Sequence, residues 1–209
     1  VPEPSLPITL DEALEVTRTG DIWVFRGISA ADRAIRALTN APVNHVGMSV
    51  VLEDMPPLMW HAELGKSLVD VWTGEFHRGV QLHDARDAVT TWATTYGQRP
   101  WLRQLDHVVD GPQEAAVLRS IARLSGTPFP RTAKLASRWL LGRVPGRQRD
   151  EALETAFCAE VVGLTYEAMG LLERDHRTGW YDPGRFWSGD ALRLVGGARL
   201  GDEIRVLVP

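Results

Sequence analysis

One cysteine, Cys158, is all the thiol chemistry that 209 residues contain. That scarcity excludes an internal disulfide and any cysteine-rich zinc site, and it leaves the redox compartment open. An apolar run approaching the roughly 18 residues of a transmembrane helix is also missing. So is a basic excess: 23 Lys and Arg against 27 Asp and Glu give a formal charge of -4, which argues against a general nucleic-acid binder. Internal repeats and low-complexity segments are absent as well. The first residue, Val1, is not methionine, which is compatible with processing and with loss of a signal peptide. Location is therefore left between the cytoplasm and the cell envelope.

What the chain does contain is core material. A hydrophobic content of 44% with eight tryptophans suits one globular domain over residues 1–209, with a helical insertion expected at about 84–150. Trp60, Trp180 and Trp187 fall near the chemistry-bearing segments, where they either wall an apolar pocket or fill the core.

Local patterns place the elements. Thr9-Leu10-Asp11-Glu12 reads as a capping box, followed by a short helix to about Arg18. Asp21 then opens an apolar strand, Ile22-Trp23-Val24-Phe25, and Ser29 to Leu38 reads as a helix. Val43 to Leu52 is the clearest strand, with His45, Gly47, Ser49 and Val51 alternating against Val46, Met48, Val50 and Leu52. His45 thus lies on the less apolar face. Leu58 to Leu64 returns as a second strand that carries His61 and Glu63 on one face. Gly79 to His83 and Trp101 to Leu105 are weaker strands, Ala85 to Tyr96 and Pro112 to Leu124 are helices, and Glu203 to Val208 is a closing strand.

Residues 131–149 carry Arg131, Lys134, Arg138, Arg143, Arg147 and Arg149 without one acidic residue, and Leu135, Trp139 and Leu140 add an apolar stripe. Such a segment is either a solvated surface helix or a peripheral contact with an anionic membrane.

Cys158 stands in Phe157-Cys158-Ala159-Glu160-Val161-Val162, which reads as the start of a helix that ends at Gly170. A thiol at a helix N-terminus feels the positive end of the dipole, and a histidine within reach completes an ion-paired nucleophile. Set against that, Cys158 shares a helix face with Val161, Val162, Thr165 and Met169, as a small core residue would. An isolated His45 equally fits a hydrogen-bonded histidine at a strand end. His61-Ala62-Glu63 also fits the H-x-E of zinc nucleobase deaminases, but that site needs two downstream cysteines. With one cysteine it cannot be built, so no metal and no cofactor are expected.

Taken in order, Gly20-Asp21-Ile22-Trp23-Val24-Phe25-Arg26, Asn44-His45-Val46-Gly47-Met48, Trp60-His61-Ala62 and Phe157-Cys158-Ala159-Glu160-Val161-Val162, with Tyr166 and Gly170, resemble the circularly permuted branch of the NlpC/P60 (papain-like) superfamily, including YiiX-like proteins and relatives of lecithin:retinol acyltransferase. The resemblance implies an α+β, permuted papain-like fold, with an antiparallel, barrel-like sheet packed against the cysteine helix. It implies a cysteine-dependent hydrolase, of amidase or peptidase type, or an acyltransferase, acting on an amide or ester through an acyl-thioester. Cys158 would be the nucleophile, His45 the general base and His61 the group that orients the imidazole, with Glu63 the reserve for that last role. Backbone N–H groups at the helix start would hold the oxyanion. The substrate is left between a cell-wall peptide and a lipid acyl group, and the oligomeric state is open. The alternative is a noncatalytic ligand- or lipid-binding domain on the same fold. An accessible thiol of low pKa beside His45 marks the enzyme; a buried, inert one marks the binding domain.

Overall fold

The capping box forms as the sequence requires. In a computed structural model, which describes residues 6–28, 42–128, 146–174, 180–190 and 192–209, the Thr9 hydroxyl accepts from the Glu12 N–H at 3.2 Å while the Glu12 carboxylate accepts from the Thr9 N–H at 2.7 Å. Two of the free donors at a helix start are thereby satisfied, and α1 runs over Leu10–Val16. The expected helix at 29–38 and the basic residues 131–145 lie outside the described residues. None of the described helices is long and apolar enough to cross a membrane.

Seven strands form one sheet: β1 (Ile8–Thr9), β2 (Ile22–Gly27), β3 (His45–Val50), β4 (Leu58–Glu63), β5 (Gly79–Asp84), β6 (Gln98–Arg103) and β7 (Ile204–Leu207). Their spatial order is β1-β7-β6-β2-β3-β4-β5. Every neighbouring pair is antiparallel except the edge pair β1 and β7, which is parallel. The protein is therefore α+β with a mixed sheet, not the wholly antiparallel one expected. The stretch 84–150, expected as a helical insertion, is described over 84–128 and 146–150. It contributes β6, an interior strand between β7 and β2, together with α2 (Ala85–Thr94), α3 (Gly111–Leu124) and the beginning of α4 (Gly146–Ala168).

Because successive strand residues point to opposite faces, the sheet has two different sides. On one, Ile22, Val24, Val46, Met48, Val50, Trp60, Ala62, Val80 and Leu82 meet α3 and α4 through Val117, Ile121, Val161, Val162 and Tyr166. The Trp60 indole N–H donates to the Thr165 hydroxyl at 3.0 Å, which fastens α4 to β4. Trp60 is fully buried, so it fills the core instead of walling a pocket. On the other side, Trp23, Phe25, Met59 and Leu102 meet α1 and α2 through Leu10, Ala13, Ala88, Val89 and Trp92. Gly47 lies on this second side, where a Cβ would come within 2.5 Å of the Met59 sulfur. The Met59 side chain lies over Gly47, so any larger residue there would have to displace it.

The helix that carries Cys158 begins earlier than the sequence motif suggests. It starts by Gly146, so Cys158 is the thirteenth of 23 residues and not the first turn. Backbone N–H groups in mid-helix are committed to carbonyls four residues back. They cannot serve as the oxyanion donors expected at position 158, and the dipole is felt only within the terminal turns.

Candidate functional site

The alternation of β3 and β4 puts His45, His61 and Glu63 on the less apolar faces of their strands, and the structure covers them. Helix α2 starts directly after β5, capped by the Asp84 carboxylate on the Asp87 N–H, and folds back over the strands. Beneath it, His45 is 3%, His61 0%, Glu63 2%, Gln81 0% and His83 1% exposed. Three adjacent strands thus place three imidazoles, a carboxylate and an amide on one buried face.

Strand register builds the cluster. His61 pairs across β4 and β5 with Gln81, and Met59 pairs with His83, so His61 and His83 are diagonal neighbours on the same side. The His61 Nε2 and His83 Nδ1 atoms lie 2.9 Å apart, and His83 Nε2 lies 3.0 Å from Gln81 Oε1. The Gln81 amide N–H groups donate to the Glu63 and Gly79 carbonyls, each at 3.4 Å, which fixes Oε1 as the atom facing His83. An amide oxygen only accepts, so the network assigns the His83 proton to Nε2. His83 Nδ1 then accepts from His61 Nε2–H, and His61 Nδ1 is left as a bare lone pair.

That lone pair has no partner. His61 Nδ1, His45 Nε2 and Glu63 Oε2 are all buried without a hydrogen-bond partner among the described residues. The other carboxylate oxygen, Glu63 Oε1, accepts from the Tyr96 hydroxyl at 3.1 Å and the Ser67 hydroxyl at 3.2 Å. Ser49, on the same sheet face, is by contrast satisfied, accepting from the Trp23 indole at 2.8 Å and sharing a 2.7 Å bond with the Thr17 hydroxyl.

Burial keeps these imidazoles neutral. It pushes His45 down to about 3. His83 is brought to about 4 by burial, with Asp70 pulling upward and His77 adding to the depression. His61 lies well below its ordinary value, through burial and then through its neighbours His83 and His45. For Glu63 burial acts in the opposite direction and raises the carboxyl, while Tyr96, Ser67 and then the Trp92 indole pull it back.

Trp92 is the roof of the cluster. Its ring stands edge-on to His45 at 4.1 Å, to His61 at 4.6 Å and to Phe25 at 4.5 Å between centroids.

The expected triad is not assembled. Cys158 is fully buried in the apolar core on the α4 side, while His45 points to the α2 side, so the sheet stands between thiol and imidazole. His45 and His61 do share a face, with ring centroids 5.6 Å apart in an edge-on arrangement, but no hydrogen bond joins them. Glu63 does not take that place either; its nearest imidazole is that of His83, with Oε2 3.9 Å from Nδ1.

The residue the sequence reading overlooked is His83. His61, Glu63 and His83 each offer one donor atom, all within 4.8 Å of one another, a group that could hold one metal ion. The available signal was the alternation Gln81, His83 on β5, in phase with His61, Glu63 on β4. The expectation of no metal was tied to missing cysteines, and this group needs none.

A second polar group, around Asp70, is structural. Its carboxylate accepts from the Leu82 and Trp72 N–H groups at 3.0 Å, from the Thr73 and Ser125 hydroxyls at 3.1 Å, and from His77 at 2.7 Å. Burial raises its pKa, but these bonds outweigh burial and hold it below the usual range. Asp21 has the structural role expected of it, accepting from the Leu105 N–H at 2.7 Å and the Arg18 N–H at 2.8 Å. The Tyr166 hydroxyl donates to the Gly20 carbonyl within the core.

Among known proteins, no family model and no curated protein matches the chain. A solved structure of the metalloprotein YiiX from Escherichia coli is similar at 18% identity and a TM-score of 0.44, over 72% of this chain and 65% of that one. The chain thus spans less than two thirds of that protein's length.

Proposed function

We propose that this chain is a noncatalytic binding domain whose ligand is held by the polar cluster between the sheet and α2. The observation that supports this is the group of three buried, unpartnered atoms on one face, His45 Nε2, His61 Nδ1 and Glu63 Oε2. An unsatisfied buried polar atom costs about 1–3 kcal/mol, so three of them form a burden that a bound ligand relieves. The placement of Cys158 in the apolar core supports the same reading, since a buried thiol is the mark of the binding domain.

The second reading keeps the permuted papain-like assignment, with Cys158 attacking an amide or ester of a cell-wall peptide or lipid and forming an acyl-thioester. The ordered motifs around His45, His61 and Cys158 favour it. It requires α4 to be seated so that Cys158 meets His45, and peripheral membrane contact through the basic residues 131–149 belongs to it.

Alkylation separates the two. For a binding domain, iodoacetamide should modify Cys158 at least about 100-fold more slowly in the folded protein than in urea, the factor that a local opening of roughly 3 kcal/mol imposes. The rate should be indifferent to His45→Ala. Fast modification of the folded protein at neutral pH, slowed by His45→Ala, would establish the hydrolase instead.

A further inference from the structure

We propose that His61, Glu63 and His83 hold a single divalent transition-metal cation of the zinc class. The inference rests on the binding-domain reading and names a ligand for one of its three unpartnered atoms, Glu63 Oε2.

The donor set fits such an ion. Two imidazoles and one carboxylate suit zinc and its first-row neighbours, whereas calcium and magnesium prefer oxygen ligands alone. In a tetrahedral site with bonds of about 2.0–2.2 Å, donor atoms stand roughly 3.4 Å apart. The 2.9 Å from His61 Nε2 to His83 Nδ1 and the 3.9 Å from His83 Nδ1 to Glu63 Oε2 bracket that value. The third pair, His61 with Glu63, lies within 4.8 Å, so binding would draw the three donors together. His61 Nδ1 would carry the proton that Nε2 gives up on becoming a ligand.

Two of the three ligands, His83 and Glu63, have the outer contacts that ligands need. Metal-bound histidines donate their other N–H to a fixed acceptor, which aims the ligating nitrogen inward. His83 Nε2–H on Gln81 Oε1 does so here, and Gln81 is itself anchored to the Glu63 and Gly79 carbonyls. Tyr96 and Ser67 hold Glu63 Oε1, leaving Oε2 inward and unpartnered. All three ligands sit on adjacent strands, where the backbone cannot drift. The cluster is also closed, with every member 3% exposed or less, so a bare ion fits where an organic ligand does not.

The test is metal uptake by the whole chain, stripped with a chelator and titrated with Zn²⁺ and Co²⁺. One equivalent should bind, Co²⁺ should develop the visible absorption of a tetrahedral site, and Zn²⁺ should raise the melting temperature. Glu63→Gln and His83→Asn should each weaken binding by more than the about 10- to 100-fold that loss of an outer-shell partner causes. Should His83→Asn fail to fold, Glu63→Gln, which keeps the volume, carries the comparison. A folded wild type that takes up no metal overturns the proposal, as does uptake unchanged in Glu63→Gln, which would place the ion on exposed histidines. An inert Cys158 with no metal uptake overturns the cation alone, whereas a reactive Cys158 with full uptake overturns the binding-domain reading and leaves the cation standing.

Discussion

Lowering the pH from 7 to 5 should destabilise the metal-free protein by about 4 kcal/mol through His45 and His83 alone, with His61 acting in the same direction. Burial depresses these bases in the folded state, to about 3 for His45 and about 4 for His83, while in the unfolded chain they titrate near 6.5. Below 6.5 the unfolded state therefore binds protons that the folded state refuses, and stability is lost as pH falls toward the folded values. The solution at pH 5 is about 1.5 units below the unfolded value, which amounts to about 2 kcal/mol per histidine at 1.36 kcal/mol per unit. The raised carboxyls of Glu63, Asp21 and Glu160 oppose this, because they bind protons more readily in the folded state. A comparison with His45→Gln isolates the histidine part. Urea unfolding at the two pH values should show the variant losing about 2 kcal/mol less than wild type between pH 7 and 5. Equal losses in both proteins would mean that His45 is solvated or paired, contrary to its burial.

Trp92→Ala should cost about 3–5 kcal/mol at pH 7, the range for truncating a large aromatic in a core. Trp92 is 3% exposed and touches Phe25, His45 and His61, so its loss opens a cavity directly over the imidazoles. Against a total stability of about 5–15 kcal/mol, that is a large fraction. Water entering the cavity should also bring His45 and His61 back toward ordinary values, which flattens the dependence on pH. Urea unfolding checks both effects. A loss under about 1 kcal/mol with the pH dependence intact would show that Trp92 does not seal the cluster, since surface changes rarely exceed about 0.5 kcal/mol.

Local chemistry was legible in the sequence where one element settles its own affairs. The Thr9 capping box, the strand around His45, the return strand with His61 and Glu63, and the helix entered through Pro112 all form near their expected positions. The start of α4 was not legible, because Pro145 and Gly146 look like a linker while the following residues are good helix formers. Anchoring the helix to the motif at Phe157 therefore placed Cys158 in a first turn it does not occupy. Periodicity also fixed which residues share the face of His45 without revealing what covers it. A strand alternating polar with apolar residues normally turns its polar side to water. Here the pairing of β4 with β5 and the return of α2, both products of long-range packing, enclose that side and make His83 a neighbour of His61.

The titration of His45, followed by NMR of ring-labelled histidine, separates a sealed imidazole from a catalytic one, because the two arrangements give opposite signs. An imidazole paired with the Cys158 thiolate is held in its charged form, so its pKa stands above the reference of about 6.5. An imidazole sealed with His61 and His83 beneath Trp92, on the far side of the sheet from Cys158, stays neutral. His45 should remain unprotonated between pH 8 and pH 5, in keeping with a value pushed down to about 3. A His45 that is already charged at neutral pH, and that loses its charge together with the ionisation of Cys158, would contradict it.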